Sequence, residues 1–223
     1  MDRAFGILSP PDVKWFKFIF NPYVREGRRT VQVLLDDYGR AAAVATDLIN
    51  TAPEVAASTG DGLADPAALA AFLARHELVL DALAGHPPVE GDVVAVHRLR
   101  RELRALVDTA DPHALASGLG RLLAAAATGP TLVDDGEGGW RWQVRSRPGA
   151  RVGAELTVLL AAGLLGALRV LGPDRFRQCA SPACAGAFVD TSRGGRRRYC
   201  VPEICGNRIN VANHRARRRA TQR

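Results

Sequence analysis

The chain has 223 residues, of which 47% are hydrophobic, and its formal net charge is +7. This composition is ordinary for a globular protein and excludes a wholly disordered or low-complexity chain. The charge is uneven: residues 174–223 contain twelve arginines and three acids, whereas the preceding residues contain 18 basic and 20 acidic side chains. A near-neutral body with a basic end is typical of a nucleic-acid-binding region attached to another domain. The alternative is a solubilising tail, or an arginine-rich composition from a GC-rich genome.

Two apolar segments bear on where the protein works. The segment 15–20 is short and no small-residue cleavage site follows it, so we predict no secretion signal. The stretch 152–170 contains Glu155 and Thr157, which favours a buried helix over a membrane span. We therefore expect a cytoplasmic protein with no membrane partner, in which thiols remain reduced.

Most of the chain before residue 172 is predicted to be helical. Residues 36–51 repeat apolar side chains at steps of three and four, which is helical periodicity. Asp65-Pro66 and Asp111-Pro112 each join a capping residue to a proline of the first turn, so each predicts the start of another helix. Apolar stripes at helical spacing also predict helices over 91–108 and 153–171.

One β-hairpin interrupts these helices. Residues 131–133 and 140–145 flank a turn rich in glycine and acids, and the second of these segments alternates in polarity. The alternation places Trp140, Trp142 and Val144 on one face, and we interpret the tryptophan pair as core rather than as a base-stacking platform. Residues 31–35 fit either a strand or the start of a helix. We divide the chain into an unassigned segment 1–35, a helical domain 36–172 and a small module 174–219.

The four cysteines of the chain all lie in this last module. Cys179, Cys184, Cys200 and Cys205 form two Cys-x4-Cys pairs separated by fifteen residues. In a reducing compartment, such clustered thiols indicate a metal site rather than disulfides. Four thiolates fill the tetrahedral coordination of Zn²⁺ and leave no position for water or substrate, so we predict one structural zinc ion. Because the module contains few large apolar residues, the metal is expected to supply much of its folding free energy.

The remaining residues of the module predict a hairpin and a basic helix. A strand over 187–190, a turn over 191–195 and a return over 196–199 would lead back to the metal. A helix starting at 201–203 would place Cys205 in its first or second turn and Gly206 close against the metal. Basic and polar side chains of the hairpin and helix are the candidate nucleic-acid contacts. These are Arg196, Arg197, Arg198, Asn207, Arg208, His214, Arg215, Arg217, Arg218 and Arg219.

Two groups of motifs resemble a known family. Cys205-Gly206-Asn207-Arg208 resembles the end of the CGNR zinc finger, and residues 190–200 resemble the stretch before its third ligand, with Tyr199 where that family often has tryptophan. Residues 45–51 and 63–66 resemble the ABATE domain that precedes this finger. The resemblance implies a mainly α N-terminal domain with a small β-hairpin (α+β) and a small treble-clef-like zinc finger. It also implies that the four cysteines bind zinc, and that the protein is a bacterial, stress-linked transcription regulator whose finger binds DNA.

Three hypotheses for the function follow. The leading one is a zinc-dependent DNA-binding regulator whose helical domain senses a small-molecule or protein effector, or forms a homodimer. An RNA-binding zinc protein is the first alternative, because both polymers present phosphates. The second is an enzyme with Asp47, Asn50 or Thr51 in a cleft, but no matched acid, base and nucleophile accompanies them, so we predict no catalysis. The roles of Asn207 and Arg208 stay open between reading bases and bracing the thiolates.

Overall fold

The structure is a computed structural model that describes residues 32–34, 38–55, 60–134, 136, 138–207 and 218. Within these residues the fold is mainly helical, with two small antiparallel sheets and a cysteine-rich C-terminal module, as predicted. The helices are α1 (Tyr38–Asn50), α2 (Pro66–Arg75), α3 (Glu90–Val107), α4 (Pro112–Ala126) and α5 (Val152–Leu171). The strands are β1 (Gln32–Leu34), β2 (Thr131–Asp134), β3 (Trp140–Arg145), β4 (Phe176–Gln178) and β5 (Ala187–Val189). A 3₁₀ turn covers Pro173–Arg175, and a π-helical turn covers Pro202–Gly206.

The predicted helix starts are confirmed by their capping bonds. The carboxylate of Asp65 accepts a hydrogen bond of 2.7 Å from the backbone N–H of Ala68, at the start of α2. The carboxylate of Asp111 accepts one of 2.9 Å from the N–H of His113, at the start of α4. Each cap satisfies a backbone donor that the first turn of a helix leaves free.

Helix α5 is the centre of the helical body. Eleven of its residues are buried, and α1, α3 and α4 pack around it. A Cβ on Gly163 would lie 2.2 Å from the Cβ of Ala41, so the close crossing of α1 and α5 requires glycine there. By length and apolar composition α5 is also the one helix in the described ranges that could span a membrane. In this fold, the apolar side chains of α5 are buried among the other helices.

The first sheet has the order β1-β3-β2, with both outer strands antiparallel to β3. Residues 32–34 are therefore a strand, which decides between the two predictions for 31–35. The interpretation of the tryptophan pair as core is wrong, because Trp140 is 68% exposed and Trp142 is 55% exposed. Val144 is buried against Val158 of α5, so only the end of β3 is covered. Alternation identifies a common face of a strand, but it does not say how far the cover over that face extends.

The second sheet is the hairpin β4–β5, which follows the break in the chain at Gly172-Pro173. Ala187 and Val189 belong to the main core, whereas Phe188 faces the opposite side and packs against Cys200 and Cys205. Strand β5 therefore lies between two cores. The predicted pairing of 187–190 with 196–199 is wrong: β5 pairs with β4, and its other edge is occupied by side chains of α1.

Candidate metal centre and the basic surface beside it

The four cysteine sulfurs converge on one point. All of them lie within 4.8 Å of one another, with Sγ–Sγ distances of 3.5 Å between Cys184 and Cys200 and 3.8 Å between Cys200 and Cys205. A tetrahedron of thiolates with Zn–S bonds of about 2.3 Å has sulfurs roughly 3.8 Å apart. The donor set and its spacing thus fit one structural zinc ion, held by Cys179, Cys184, Cys200 and Cys205.

Two tight turns deliver the ligands. The N–H of Cys184 donates to the carbonyl of Ser181 at 3.0 Å, which closes the first turn after β4. The N–H of Cys205 donates to the carbonyl of Val201 at 2.8 Å, which closes the turn that begins at Pro202. Backbone hydrogen bonds therefore close the two turns that carry the second and fourth ligands.

Gly186 is the glycine that the metal cluster requires. Its N–H donates to Sγ of Cys184 at 3.3 Å, and a Cβ at this position would lie 2.6 Å from Sγ of Cys200. No side chain fits in that space without moving a ligand. We had expected this role for Gly206, and that hypothesis is wrong within the described residues. A Cβ there would meet only the ring of Tyr199, at an ordinary contact distance of 3.4 Å.

The protonation of the thiols follows from their surroundings. Burial raises the pKa of Cys200 and also that of Cys205. For Cys179 burial acts in the same direction, but hydrogen bonds from the backbone of Cys200 and Ser181 outweigh it and lower its pKa. A divalent cation would offset the repulsion among four adjacent thiolates, so metal binding and deprotonation are coupled at this site.

A buried carboxylate organises the loop between the two ligand pairs. Asp190 is 0% exposed and accepts hydrogen bonds from the N–H groups of Ser192 and Arg197, both at 3.0 Å. Burial alone would raise the pKa of Asp190, but the bonds from Ser192 and Arg197 and the charge of Arg177 lower it. The loop 191–197 is wrapped around a charge that is fully paired.

Two arginines that we did not single out complete this loop. Arg175 donates to the carbonyls of Asp190 and Ser192 at 3.0 and 2.8 Å. Arg177 donates to the carboxylate of Asp190 at 3.2 Å and to the carbonyl of Gly195 at 2.9 Å. Arg175 immediately precedes β4, and Arg177 lies within it. Both could have been identified from the sequence only by recognising β4 as a strand.

The predicted nucleic-acid contacts separate into engaged and exposed side chains. Arg197 donates to the carbonyl of Tyr199 at 2.9 Å and to that of Cys200, and its guanidinium lies 4.8 Å from the ring centroid of Phe188. Arg196, Arg198 and Arg218 are exposed. Asn207 is exposed as well, although its amide donates to the carbonyl of Glu203 at 2.6 Å. Five further candidates lie outside the described residues: Arg208, His214, Arg215, Arg217 and Arg219.

The three residues proposed for a catalytic cleft have structural partners instead. Asn50 bonds to both backbone groups of Ala187, at 2.8 and 3.0 Å. Thr51 donates to the carbonyl of Leu48 at 2.6 Å. Asp47 lies 3.4 Å from the ring of His76. The partners of these three side chains lie in different parts of the fold, and Asp47 itself is exposed.

Two protein-family models match the chain. The ABATE model, described as "Putative stress-induced transcription regulator", matches residues 42–195, and the CGNR zinc finger model matches residues 175–218. The first match covers more than half of the chain. The chain belongs to the ABATE family. No curated protein matches it.

The ABATE assignment agrees with how the molecule is assembled. The two family matches overlap over residues 175–195, which contain the β4–β5 hairpin and most of the loop around Asp190. This hairpin packs on α1 and contributes to the core of the body. The family description is that of a regulator rather than an enzyme. Our division of the ABATE protein between residues 172 and 174 stays a prediction.

Proposed function

We propose that this ABATE-family protein is a zinc-dependent, DNA-binding transcription regulator of the cytoplasm, and that its C-terminal module contacts the DNA. The observation that carries the proposal is the surface of the metal-fixed loop. Arg193, Arg196 and Arg198 are all exposed on it, and the acid within residues 190–198, Asp190, is buried and already paired. The exposed charge is therefore of one sign, which favours a polyanion.

The arginines divide into two roles in this proposal. Arg175, Arg177 and Arg197 hold the loop through backbone carbonyls, so they position the surface rather than cover it. The other candidates contact phosphates in this proposal. They are the exposed Arg193, Arg196, Arg198 and Arg218, together with Arg208, His214, Arg215, Arg217 and Arg219, which lie outside the described residues. Asn207 directly follows the π-helical turn Pro202–Gly206.

The helical body takes the signal in this proposal. A cleft of about 1200 Å³ lies between the loops around residues 79–92 and 145–152, bordered by the first turns of α3 and α5. Charges of both signs line it, including Arg147, Arg151 and Glu155. In this proposal a small-molecule effector would bind in this open cleft. A protein effector or a second copy of the chain would act on the body from outside the cleft.

The test is a salt titration of binding to duplex DNA. For about 4–6 phosphate contacts, log K falls with log salt at a slope of roughly −4 to −5. The double variant Arg196→Ala/Arg198→Ala is expected to reduce this slope by about two and to weaken binding at every DNA sequence. The matched control is Arg101→Ala/Arg121→Ala, which removes two exposed arginines of the body. Equal affinity and slope in the two double variants would rule out this loop as the binding surface.

Two further arms separate the parts of the proposal. Structured RNA at matched salt distinguishes the polymers, and tighter binding to RNA than to DNA would replace the DNA assignment. Protein treated with a chelator is expected to lose binding because the loop is then no longer held at Cys200. Unchanged DNA binding by metal-free protein would contradict zinc dependence.

A further inference from the structure

The open edge of β5 is covered by a helix rather than by a strand. The side-chain amide of Asn50 donates to the carbonyl of Ala187 at 2.8 Å and accepts from its N–H at 3.0 Å. One turn earlier on α1, the hydroxyl of Thr46 accepts from the N–H of Val189 at 3.1 Å. Thr46 and Asn50 thus satisfy the N–H groups of Ala187 and Val189 and the carbonyl of Ala187, which point away from β4. They do for this edge what a third strand would do.

These contacts reach the metal ligands through one residue. Gly186 precedes Ala187 and lies between α1 and the sulfurs. The position of a Cβ on Gly186 is 3.0 Å from Oδ1 of Asn50, 2.6 Å from Sγ of Cys200 and 3.2 Å from Sγ of Cys184. The amide of Asn50 and the sulfur cluster are therefore separated by little more than one backbone unit.

A displacement of β5 would disturb both the body core and the cysteine cluster. Val189 packs in the body core and Phe188 in the cysteine cluster, so neighbouring side chains of one short strand tie the two cores together. The N–H groups of Ala187 and Val189 are donors whose burial without a partner is unfavourable. Breaking the bonds to α1 therefore strains the same strand that the metal holds in place.

We propose that Asn50 and Thr46 are positioning residues of the zinc centre, and that metal occupancy and the folding stability of the helical body are coupled through them. Neither side chain touches the metal. Asn50 and Thr46 fix β5, and β5 fixes Gly186 and the ligand Cys184. In return, zinc holds β5 in place, and the end of α1 is hydrogen-bonded to the edge of that strand. The inference concerns zinc and folding alone, so its outcome is independent of whether the protein binds DNA.

The first experiment measures zinc affinity in the full-length protein, by competition with a chromogenic chelator. Asn50→Ala is expected to weaken zinc binding about tenfold, the lower end of the range for residues that support metal ligands. Thr46→Val keeps the size of the side chain and removes the hydroxyl, and it is expected to have a smaller effect in the same direction. Asp47→Ala is the matched control, because it lies between the two on α1 and is exposed. Affinities of all three variants within twofold of the unaltered protein would overturn the proposal.

The second experiment separates positioning from a merely structural role. Denaturant unfolding is measured for the unaltered protein and for Asn50→Ala, each with zinc and without it. A tenfold loss of affinity requires Asn50→Ala to destabilise the zinc-bound form by about 1.4 kcal/mol more than the metal-free form. Equal destabilisation of both forms would mean that Asn50 supports the fold only, which would overturn the coupling.

A third measurement needs no variant and applies even where Asn50→Ala fails to fold. Hydrogen exchange is followed in the unaltered protein before and after chelation. The proposal predicts faster exchange at the amides of Ala187 and Val189 and in the last turn of α1 once zinc is removed. Faster exchange confined to residues 179–207, with α1 unchanged, would overturn it.

Discussion

The two cores on either side of β5 are stabilised by different means. Among the described residues, the body core contains twenty-five buried apolar residues, whereas the core of the metal module contains three, of which two are cysteines of the metal cluster. Burial of apolar surface therefore dominates in the body, and coordination and paired charge dominate in the module. The comparison shows that a small region can be well defined with a very small apolar core, provided that a metal site and a strand packed on the body hold it in place.

Removing one metal ligand is expected to have the largest effect, and it should affect the two cores unequally. Structural zinc contributes on the order of 10–16 kcal/mol of apparent folding free energy in small modules. Cys200→Ser should therefore abolish stoichiometric zinc and expose residues 191–207 to proteases, while most of the helical signal in circular dichroism remains. Elemental analysis and limited proteolysis check this, with chelator-treated protein as the reference. One equivalent of tightly bound zinc in the variant would contradict the closed four-thiolate site.

The helical body contains a strong ion pair between Arg100 and Asp61, and its loss is expected to have the second-largest effect. Arg100 is buried and bonds to both carboxylate oxygens of Asp61, at 2.7 and 2.6 Å. Asp61→Asn would leave that guanidinium without its charge partner, and we expect a loss of about 2–3 kcal/mol in the free energy of unfolding at pH 7. Denaturant titration checks this, with the exposed Asp47→Asn as control.

The contribution of this ion pair to stability depends on pH in a definite direction. The hydrogen bond from Arg100 lowers the pKa of Asp61 to about 2, below the value of about 3.9 for an unfolded aspartate. A lowered pKa in the folded state gives stability that is present above pH 3.9 and is lost as the pH falls towards 2. The difference between Asp61→Asn and the unaltered protein should therefore shrink over that interval. A difference that stays constant down to pH 2 would show that the charge of Asp61 is not responsible.

A single methyl group beside the sulfurs tests how tightly the module is defined. In Gly186→Ala the new Cβ would lie 2.6 Å from Sγ of Cys200, so the ligand or the strand must move. We expect zinc affinity to fall about tenfold, as for other changes that misplace a metal ligand. Gly194→Ala is the matched control in the same module, because its Cβ would meet nothing closer than 3.8 Å. Equal zinc affinities for the two variants would show that the cluster adapts.

The smallest expected effect is a gain in stability in the body. Burial raises the pKa of Glu155, and the nearby charge of Asp81 acts in the same direction. The folded protein then holds this proton more tightly than the unfolded chain, so stability falls as the pH rises above the ordinary value of about 4.3. Glu155→Gln removes the charge and should raise the free energy of unfolding by up to about 1 kcal/mol at pH 7. The gain should be absent at pH 4, which a pair of denaturant titrations would show.

Much of the fold was predictable because its signals are local. The apolar period of residues 36–51 and the Asp-Pro pairs at 65–66 and 111–112 specify helices without reference to the rest of the chain. The metal site was equally predictable, since the number and spacing of the four cysteines indicate one zinc ion. The ligand set follows from residue type alone, and the structure adds the convergence of the sulfurs.

The features that were missed depend on contacts between distant parts of the chain. Strand β4 is three residues long and has no pattern of its own, so β5 was paired with the wrong segment. Asn50 resembled a cleft residue because nothing near it in sequence shows that its partner is Ala187. The exposure of Trp140 and Trp142 depends on where the helical layer ends. Tertiary context decided each of these cases.

If the C-terminal module contacts DNA as proposed, the attachment of β5 to α1 also determines how the molecule approaches the duplex. A module on a flexible tether can rotate to find its orientation while the rest of the chain trails behind. Here the loop that carries Arg196 and Arg198 is linked to α1 through β5, so it cannot turn unless the helical body turns with it. In the proposed complex with DNA, the fold would then set the angle between the helical body and the duplex.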